Sequence, residues 1–576
     1  MPRVNEEIED LLTEWADLLQ IGGADAFRVR AYEKAARALG GHPRDLRDLS
    51  DREILAIPSV GKHMAARVRE YLDAGTMHEL EDMREAVPAG VRDLMRVPGL
   101  GPKRALLLHQ ELGIAGIGEL ADAIASERVR AVKGLGEKTE LNLFRALQNL
   151  SRTQDRVRID EAIEISLRVV EQLENLPGVK SIVPAGSVRR MRDTIGDLDV
   201  LVASENSEHV MGAFLEMPDV VSVVARGDTK SSVVTRRGMQ IDLRVVPANA
   251  WGAALIYFTG SKEHNVKIRE LAMKAGMKLS EWGLFRACDG RLIAGATEEE
   301  VYAALGLAWI PPAMREDTGE VEAALAGDLP ALIEQTDLRG DLHSHTDLTD
   351  GIASLDVMVE AAAARGFEYF AITDHAQNLA MTGMSREAVL AQREKIATIQ
   401  LRFPHMRLLH GCELNIGRDG SVDYDAEFLA GFDITVASVH SLFRLSREET
   451  TARLIAAARN PFVNVIGHPT GRLIGRREPI DVDFEVLFGV AAETGTALEV
   501  NCFPDRLDLR DEHVRWATRR GVTISIATDA HAPKHLDNVR FGIGTAQRGW
   551  AKRSDVLNAR TASEVGKFVA DKRAPR

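Results

Sequence analysis

The spacing of apolar residues changes twice along the chain. Over the first 150 residues, apolar positions recur at i, i+3 and i+4, the period of helices packed on one face. From about 151 to 320, short apolar runs such as 195–202 and 239–246 predict strands. From residue 340 onward, apolar strand-like runs alternate with helical stretches. We therefore predict a multidomain protein with an all-α region, an α+β region and a β/α region.

A glycine-containing motif occurs three times in the helical region. The copies at 57–62, 97–103 and 132–138 follow or approach the pattern apolar-x-Gly-apolar-Gly-x-Lys, and each precedes a predicted helix. Glycine permits a tight turn with positive φ, and the N–H groups at a helix start suit a phosphate. The alternative is a connection that only packs two helices, but three copies in one region favour the phosphate site.

The motif resembles helix–hairpin–helix elements, which hold the DNA sugar-phosphate backbone without reading sequence. The resemblance implies DNA contacts by Val60, Gly61, Gly99, Gly101, Lys103, Gly134, Gly136 and Lys138.

Three carboxylates mark the α+β region. Asp197 and Asp199 are two positions apart on one predicted strand and therefore face the same side, and Asp242 lies on another apolar strand. Like charges side by side are costly unless a cation lies between them. Three carboxylates facing one point suit two Mg²⁺ ions together with substrate phosphate oxygens. A solvated strand edge is the alternative.

A short loop upstream of these aspartates predicts a triphosphate site. Gly186 and Ser187 are small enough for a phosphate to approach the backbone, and the guanidinium groups of Arg189 and Arg190 match phosphate geometry. The order of a Gly-Ser pair, a Gly-Asp-x-Asp motif and a distant strand aspartate favours a nucleotide site over a strand edge.

In the β/α region, metal-ligand residues stand at the ends of the predicted strands. Successive markers from His343 to Asp529 are 27 to 38 residues apart, the length of a β/α repeat, and seven such units predict a (β/α) barrel with its site at the strand ends. A single histidine in such a place is more often a packed core residue. Nine ligand-type residues together indicate more than one ion, and the mixed set suits Zn²⁺ or Mn²⁺. They are His343, His345, Asp350, His375, Glu413, His440, His468, Asp529 and His531.

Composition narrows the classes of protein. The net charge is −14, which predicts modest, salt-sensitive DNA affinity. The three cysteines form no Cys-x-x-Cys pair, which excludes a disulfide framework and thiolate zinc knuckles. No apolar run approaches the ~18 residues of a membrane span, and the first residues lack a secretory signal pattern. We expect a cytoplasmic protein without membrane contacts.

The motifs of the α+β region resemble family X DNA polymerases, the polymerase beta group. The similarity covers about residues 1–320 and rests on GSVRR, GDLDVLV five residues later, IDLRVV and YFTGS. It implies that Asp197, Asp199 and Asp242 bind two Mg²⁺ or Mn²⁺ ions and that Asp242 helps to deprotonate the primer 3′-OH. It further implies a nucleotide site formed by Gly186, Ser187, Arg190, Gly196, Tyr257, Phe258, Gly260 and Asn265, with Tyr257, Phe258 and Gly260 against the sugar and Asn265 near the incoming base.

The chain departs from that family at three positions. Arg67 aligns with the lysine that forms a Schiff base in the family's lyase reaction, and His63 replaces a nearby lysine. Guanidinium remains protonated and is no amine nucleophile, so we expect no lyase activity by that route. Gln240 stands where polymerase beta has an arginine beside the third aspartate, which predicts different tuning of Asp242.

The motifs DLHSHT, TDG, TDH, SVH, GHP and TDAH resemble the polymerase and histidinol phosphatase (PHP) superfamily over about residues 340–570. The resemblance implies a cluster of two to three ions for phosphoester hydrolysis. A first ion would be held by His343, His345, Glu413 and Asp529, a second by Glu413, His440 and His468, and a third by Asp350, His375 and His531.

A family X polymerase followed by a PHP domain resembles the PolX repair polymerases of bacteria and archaea. The resemblance implies a monomer that fills short gaps in nicked or gapped DNA from dNTPs, with 3′–5′ exonuclease and abasic-site endonuclease activity. A template-independent nucleotidyltransferase fused to a small-molecule phosphoesterase is the alternative, and a non-enzymatic DNA-bridging protein is a weaker one. The expected domains are a helical DNA-binding domain (1–80), a fingers-type domain (81–150), a palm (151–250), a thumb (251–318), a linker (319–339) and a PHP domain (340–576).

Overall fold

The computed structural model describes residues 3–574, apart from residues 22–23, 41, 43, 58, 87–90, 92–93, 95–96, 98–99, 101, 138, 145–146, 148–155 and 380–381. The chain divides into two compact units: the first is formed by residues 1–154, 350–354 and 475–477, and the second by residues 155–349, 355–474 and 478–576. Within the described residues, every helix is too short or too polar to span a bilayer.

The first unit is helical throughout its described part, which confirms the all-α prediction. Leu12 and Trp15 are fully buried with Leu39 in one apolar cluster, and the Trp15 ring lies 5.2 Å from that of Tyr32. The helices are α1 (Arg3–Ile21), α2 (Ala26–Gly40), α3 (Asp51–Ala56), α4 (Lys62–Ala74), α5 (His78–Ala86), α6 (Pro102–Leu112) and α7 (Ile117–Ala125).

The turns before the helices differ from the expected glycine geometry. In the first motif the positive φ of 66° falls on Ser59, while Gly61 has an extended φ of −81° and is the N-cap of α4. In the third motif Gly134 has the positive φ, 93°. A side chain at Gly61 or Gly136 would meet nothing within 4 Å. These two glycines therefore leave space open at the helix start and are not required by the turn itself.

The palm region is a five-stranded sheet covered by helices. Its strand order is β2-β4-β7-β6-β5, with β4 and β7 parallel and the other neighbours antiparallel. Ile165, Val169 and Leu173 of one helix are buried against strand residues such as Val202. The elements are β1 (Val157–Arg158), α8 (Ile159–Leu173), β2 (Val179–Pro184), α9 (Gly186–Arg189), β3 (Thr194–Ile195), β4 (Asp197–Ser204), α10 (Ser207–Leu215), β5 (Val220–Ala225), β6 (Lys230–Thr235) and β7 (Gln240–Val246).

The thumb region extends into the expected linker. Val321 and Ala324 lie in one apolar cluster with Ile268 and Val301, and the buried His264 Nδ1 lies 2.6 Å from Glu320 Oε1. The first part of 319–339 therefore packs as a helix of the thumb. The elements are α11 (Trp251–Thr259), α12 (Lys262–Lys274), β8 (Met277–Ser280), β9 (Gly283–Arg286), β10 (Leu292–Ala294), α13 (Glu298–Ala304) and α14 (Glu320–Ala326).

The C-terminal region is the predicted seven-stranded β/α barrel. Its parallel strands β11 to β17 are neighbours in chain order, and a parallel bridge between Ser344 and Ala530 joins the first and last strands beyond their ends. The strands are β11 (Gly340–Asp341), β12 (Tyr369–Ile372), β13 (Arg407–Asn415), β14 (Ile434–Ser438), β15 (Val465–Gly467), β16 (Ala497–Asn501) and β17 (Ile524–Ala527). The helices are α15 (Leu355–Ala364), α16 (Arg386–Gln400), α17 (Ala426–Leu429), α18 (Arg447–Arg459), α19 (Phe484–Thr494), α20 (Asp511–Arg519), α21 (Val539–Arg548) and α22 (Ala562–Arg573).

Candidate active sites

The three palm aspartates lie on two neighbouring strands. Asp199 of β4 is the register partner of Asp242 on β7, and Asp197 stands two residues before Asp199. Because side chains alternate along a strand, all three project from one face of the sheet. The strand pairing thus brings together residues that are more than forty positions apart in the chain.

The charge on this face is poorly compensated at Asp199. Its burial raises its pKa, the neighbouring Asp197 and Asp242 raise it further, and the resulting pKa is about 7. A carboxyl group with this pKa holds a proton in the place where a cation would otherwise balance the charge. The donor set of three carboxylates therefore fits a hard divalent cation such as Mg²⁺ or Mn²⁺.

Asp242 has two side-chain partners, Gln240, which the sequence indicated, and Lys230, which it did not. Its Oδ2 lies 2.9 Å from Nζ of Lys230 on β6, and its Oδ1 accepts a 2.9 Å hydrogen bond from Gln240 Nε2. Burial raises the pKa of Asp242, but the hydrogen bonds from Lys230, Gln240 and Ser232 outweigh it and leave the pKa lowered. Gln240 and Lys230 together keep this carboxylate ionised.

Gly186 stands where the loop meets the aspartates. It has a φ of 58°, and a Cβ at this position would lie 2.4 Å from Asp199 Oδ2. The backbone N–H of Ala185 donates to the Asp199 carbonyl at 2.8 Å, so strand and loop are tied at this point. Only glycine allows this approach, and Ser187 follows in the first turn of α9.

The two arginines after the loop have different environments. Arg189 forms two hydrogen bonds to the buried Glu298 at 2.7 and 2.9 Å, and a phosphate contact by this arginine stays a prediction. Arg190 donates from Nε to Glu316 Oε1 at 2.8 Å and from Nη1 to the Thr259 carbonyl at 2.7 Å. Arg190 thus remains a candidate for phosphate contact, although its Nε and Nη1 already donate hydrogen bonds to the protein.

The YFTG segment, residues 257–260, is the other part of the expected nucleotide site. Asn265 donates from Nδ2 to the carbonyls of Tyr257 and Gly260 at 2.7 and 3.1 Å, which fixes the turn at the end of α11. A side chain on Gly260 would meet Asn265 at 2.8 Å. The guanidinium of Arg244 lies 4.4 Å from the centre of the Phe258 ring. The charge of Arg244 offsets part of the rise in the pKa of Asp199 that burial and the other aspartates cause. Gly196 precedes β4, where a Cβ would lie 3.1 Å from Arg156 Nη1.

The barrel gathers its predicted ligands at the strand ends. Among the described residues, three groups offer ligand atoms that lie within 4.8 Å of one another. The groups are His343, His345 and Asp529; His375, Glu413 and His440; and His345, Asp350, His375 and His531. In the partition expected from the sequence, His468 holds the second ion together with Glu413 and His440, whereas this group contains His375 in its place.

Glu413 lies at the centre of the barrel ligands and is fully buried. Its Oε1 lies 3.1 Å from Nε2 of both His440 and His468. Its Oε2 lies 2.9 Å from His375 Nδ1 and 3.5 Å from Nε2 of His343 and His345. The two oxygens therefore face two different sets of imidazoles, which is the arrangement of a bridging carboxylate.

The electrostatics of the barrel site favour anionic carboxylates. Burial raises the pKa of Glu413, but His440, His375 and His343 outweigh it and hold the pKa well below its ordinary value. Burial likewise opposes ionisation of Asp529, and His343 and His345 still hold its pKa well below the usual range. An ionised carboxylate among five imidazoles is a donor set that fits transition-metal cations such as Zn²⁺ or Mn²⁺.

Side chains behind the ligands fix their orientation. Glu499 Oε1 lies 2.7 Å from His343 Nδ1, and Asn415 Oδ1 lies 2.7 Å from His440 Nδ1. Asn501 donates to Asp529 Oδ2 at 3.0 Å. Such partners set which ring nitrogen is available to a cation. Glu499 and Asn415 lie in strands and carry no motif, so nothing in the sequence singles them out.

Arg506 brings a positive charge to the edge of this cluster. Its Nε lies 3.8 Å from Asp529 Oδ2, and burial together with the charge of Arg506 lowers the pKa of His468. Its Nη1 is buried without a hydrogen-bond partner among the described residues. A guanidinium beside a ligand cluster, with donor capacity left, is suited to a phosphate oxygen.

Of the eight hairpin residues expected to contact DNA, four are described in full. Gly61, Gly134 and Gly136 are exposed, and Val60 is buried in the core, so Val60 offers its backbone rather than its side chain. Gly99, Gly101 and Lys138 lie outside the described residues, as does the side chain of Lys103. Arg67 Nη1 lies 2.6 Å from Glu70 Oε2.

Family models match four parts of the chain. A helix-hairpin-helix domain matches residues 3–77, and a SAM-like helix-hairpin-helix tandem matches residues 91–149. A DNA polymerase beta thumb matches residues 254–316, and a PHP domain matches residues 341–500.

Two kinds of relatives are similar to the chain. DNA polymerase lambda of Rattus norvegicus is 29% identical over 342 residues, which cover 54% of this chain and 56% of that protein. The DNA polymerase/3′-5′ exonuclease PolX of Bacillus subtilis (strain 168) is 37% identical over 567 residues, which cover 98% of this chain and 99% of that protein. The chain therefore belongs to the PolX family, which joins a polymerase beta-like part to a PHP domain.

Proposed function

We infer that the chain is a family X DNA polymerase that also degrades DNA from the 3′ end. The polymerase beta thumb, the PHP domain and near full-length similarity to a PolX protein support both activities. The observation that carries this inference is the presence of two separate ligand sets, three palm aspartates and a nine-residue barrel cluster.

For nucleotide addition, we assign cation binding to Asp197, Asp199 and Asp242. Divalent cations in such a site help to activate a hydroxyl and stabilise the charge on phosphate oxygens. Asp242 is the best placed to accept the proton of a primer 3′-OH, because Lys230 and Gln240 hold it ionised and oriented.

The nucleotide itself would lie along the loop and α9. The lack of a side chain at Gly186, the partly exposed Ser187 and the partly bonded guanidinium of Arg190 support a triphosphate contact. Gly196 would lie beside it, and Tyr257, Phe258 and Gly260 would face the sugar, with Asn265 keeping their turn in place.

For hydrolysis, we assign two to three Zn²⁺ or Mn²⁺ ions to the barrel, with Glu413 as the bridge. Its two oxygens face different imidazole sets, which supports this role. Glu499 and Asn415 keep His343 and His440 in the orientation that presents Nε2. Arg506 would bind an oxygen of the scissile phosphate.

Gapped or nicked duplex DNA is the substrate that the whole chain fits best. The chain would use dNTPs to fill short gaps in DNA repair. Exposed glycines before helices in the first 150 residues support contacts to the DNA backbone, so we assign residues 1–150 to DNA, 151–318 to nucleotide addition and 340–576 to hydrolysis. We also propose a monomer and cleavage at abasic sites.

A gapped-duplex binding assay tests this assignment against a template-independent transferase joined to a small-molecule phosphoesterase. We expect tighter binding to a one-nucleotide-gapped duplex than to either single strand at equal salt. Equal affinity for all three would favour the alternative. Elemental analysis of the same protein should find more than one transition-metal ion per chain, and fewer in Glu413→Ala.

A further inference from the structure

A single carboxylate lies between an arginine of the palm and an arginine of the barrel. Glu316 Oε1 accepts from Arg190 Nε at 2.8 Å and from Arg548 Nη1 at 2.7 Å. The side chains of Glu316, Arg190 and Arg548 are 17, 13 and 5% exposed. The three charges are therefore largely removed from water and interact strongly.

Arg548 reaches this carboxylate from the end of α21. Its Nη1 also donates to the Arg190 carbonyl at 3.1 Å, and its Nη2 donates to Asp511 Oδ2 on α20 at 2.5 Å. Arg548 is thus anchored in the barrel and contacts both the side-chain partner and the backbone of Arg190. Palm, thumb and barrel belong to the same compact unit, so this contact lies within one body.

Arg190 retains donors beyond those already used. A guanidinium carries five N–H groups, and the contacts with Glu316 and the Thr259 carbonyl use two of them. A triphosphate competes with Glu316 for this arginine, because both are anions. How strongly Glu316 competes depends on how much of its charge is balanced by another cation.

We propose that Arg548 of the barrel is a positioning residue for dNTP binding in the palm, because it neutralises Glu316 and so leaves Arg190 free to contact the triphosphate. This inference rests on the proposed contact between Arg190 and the nucleotide. Burial raises the pKa of Glu316, but Arg190 and Arg548 outweigh it and lower the pKa, so the carboxylate is ionised at neutral pH. Without Arg548, the charge of Glu316 is balanced only by Arg190 and, from 3.9 Å, by the more exposed Arg192, and it adds to the negative potential near the phosphates.

The test is the dNTP dependence of single-nucleotide gap filling. Arg548→Gln, which keeps a hydrogen-bond donor but loses the charge, should raise the dNTP KM by about tenfold, with kcat within about threefold. Arg548→Lys keeps the charge and should stay within about threefold of the wild-type KM. A purely structural role predicts equal effects of the two variants, and equal KM values for them would overturn the proposal.

Coupling through Glu316 is tested by a double-mutant cycle. In a Glu316→Gln background, Arg548→Gln should change the KM by less than about twofold, because no charge is left to neutralise. Additive effects would overturn the proposal. Arg520→Met breaks an exposed pair of the same barrel, Arg520 Nη2 to Glu485 Oε1 at 2.9 Å, and serves as the matched control without effect on KM. The rate of 3′ degradation in each preparation reports whether the barrel is intact.

Arg190→Met separates this inference from the proposed nucleotide site. A raised KM in Arg190→Met together with a wild-type KM in Arg548→Gln would overturn the role of Arg548 alone. A wild-type KM in Arg190→Met would contradict a contact between Arg190 and the triphosphate. The proposed role of Arg548, which rests on that contact, would then be contradicted as well. If Arg548→Gln does not fold, the Lys variant still decides, since a tenfold rise there contradicts a role of charge.

Discussion

Replacing Gly186 by alanine tests whether the loop sets the position of the palm aspartates. The new Cβ would lie 2.4 Å from Asp199 Oδ2, 3.3 Å from its Cγ and 3.4 Å from its Cβ. Asp199 must then move away, because its own strand is fixed between β2 and β7. The change adds one methyl group and alters no charge, so any effect on nucleotide addition reports geometry.

The structure gives the size of the effect. An ordinary contact between a methyl carbon and an oxygen is longer than 2.4 Å by about 1 Å, so the carboxylate must shift by about that distance. A misplacement of about 1 Å in a catalytic group costs on the order of 100-fold in rate. The positive φ of 58° adds a stability cost of about 1–2 kcal/mol, because alanine disfavours the left-handed region.

Gly238→Ala provides the matched control. Gly238 lies in the turn before β7 with a φ of 78°, and a Cβ there would meet nothing within 4 Å. Both variants should lose similar stability in chemical denaturation, but only Gly186→Ala should lose gap filling, by about 100-fold, in single-turnover primer extension. Equal polymerase rates in the two variants would refute the reasoning that Gly186 makes room for Asp199.

Three further predictions concern other groups. In metal-free protein, Asp199 keeps its proton up to about pH 7 when folded but releases it near pH 3.8 when unfolded. The free energy of unfolding should therefore fall as the pH rises through this window. Asp199→Asn should flatten that fall, and an unchanged slope would contradict the raised pKa. Borohydride trapping on 5′-deoxyribose-phosphate DNA should give no Schiff base that depends on Arg67, and trapping that vanishes only in Arg67→Ala would overturn this. Arg506→Met should slow 3′ degradation by about 10- to 1,000-fold with unchanged metal content, whereas a wild-type rate would remove Arg506 from the site.

The sequence predicted those features that depend on regular periods. Asp197 and Asp199 were predictable because alternate strand residues share a face, and Glu413 and Asp529 because parallel strands of a barrel end at one rim. Both predictions needed only local spacing and the repeat of strands. The fold class was confirmed for the same reason, since each region has its own apolar period.

Contacts between distant segments were not predictable. Lys230 reaches Asp242 only because β6 pairs with β7, and Glu316 meets Arg548 across 232 residues of chain. The contact of Arg189 was not predictable for the same reason, because its partner Glu298 lies 109 residues away. Adjacent arginines look equivalent in sequence, and only the packing of the fold decides which carboxylate each of them binds.

We infer that one chain carries two independent sites, one for nucleotide addition and one for 3′ hydrolysis. It is tested most directly on a one-nucleotide-gapped duplex, with and without dNTPs, by comparing wild type with Asp197→Ala and Glu413→Ala. We expect that Asp197→Ala stops gap filling and still shortens the 3′ end, while Glu413→Ala fills the gap and no longer degrades DNA. Loss of both activities in either folded variant would contradict it.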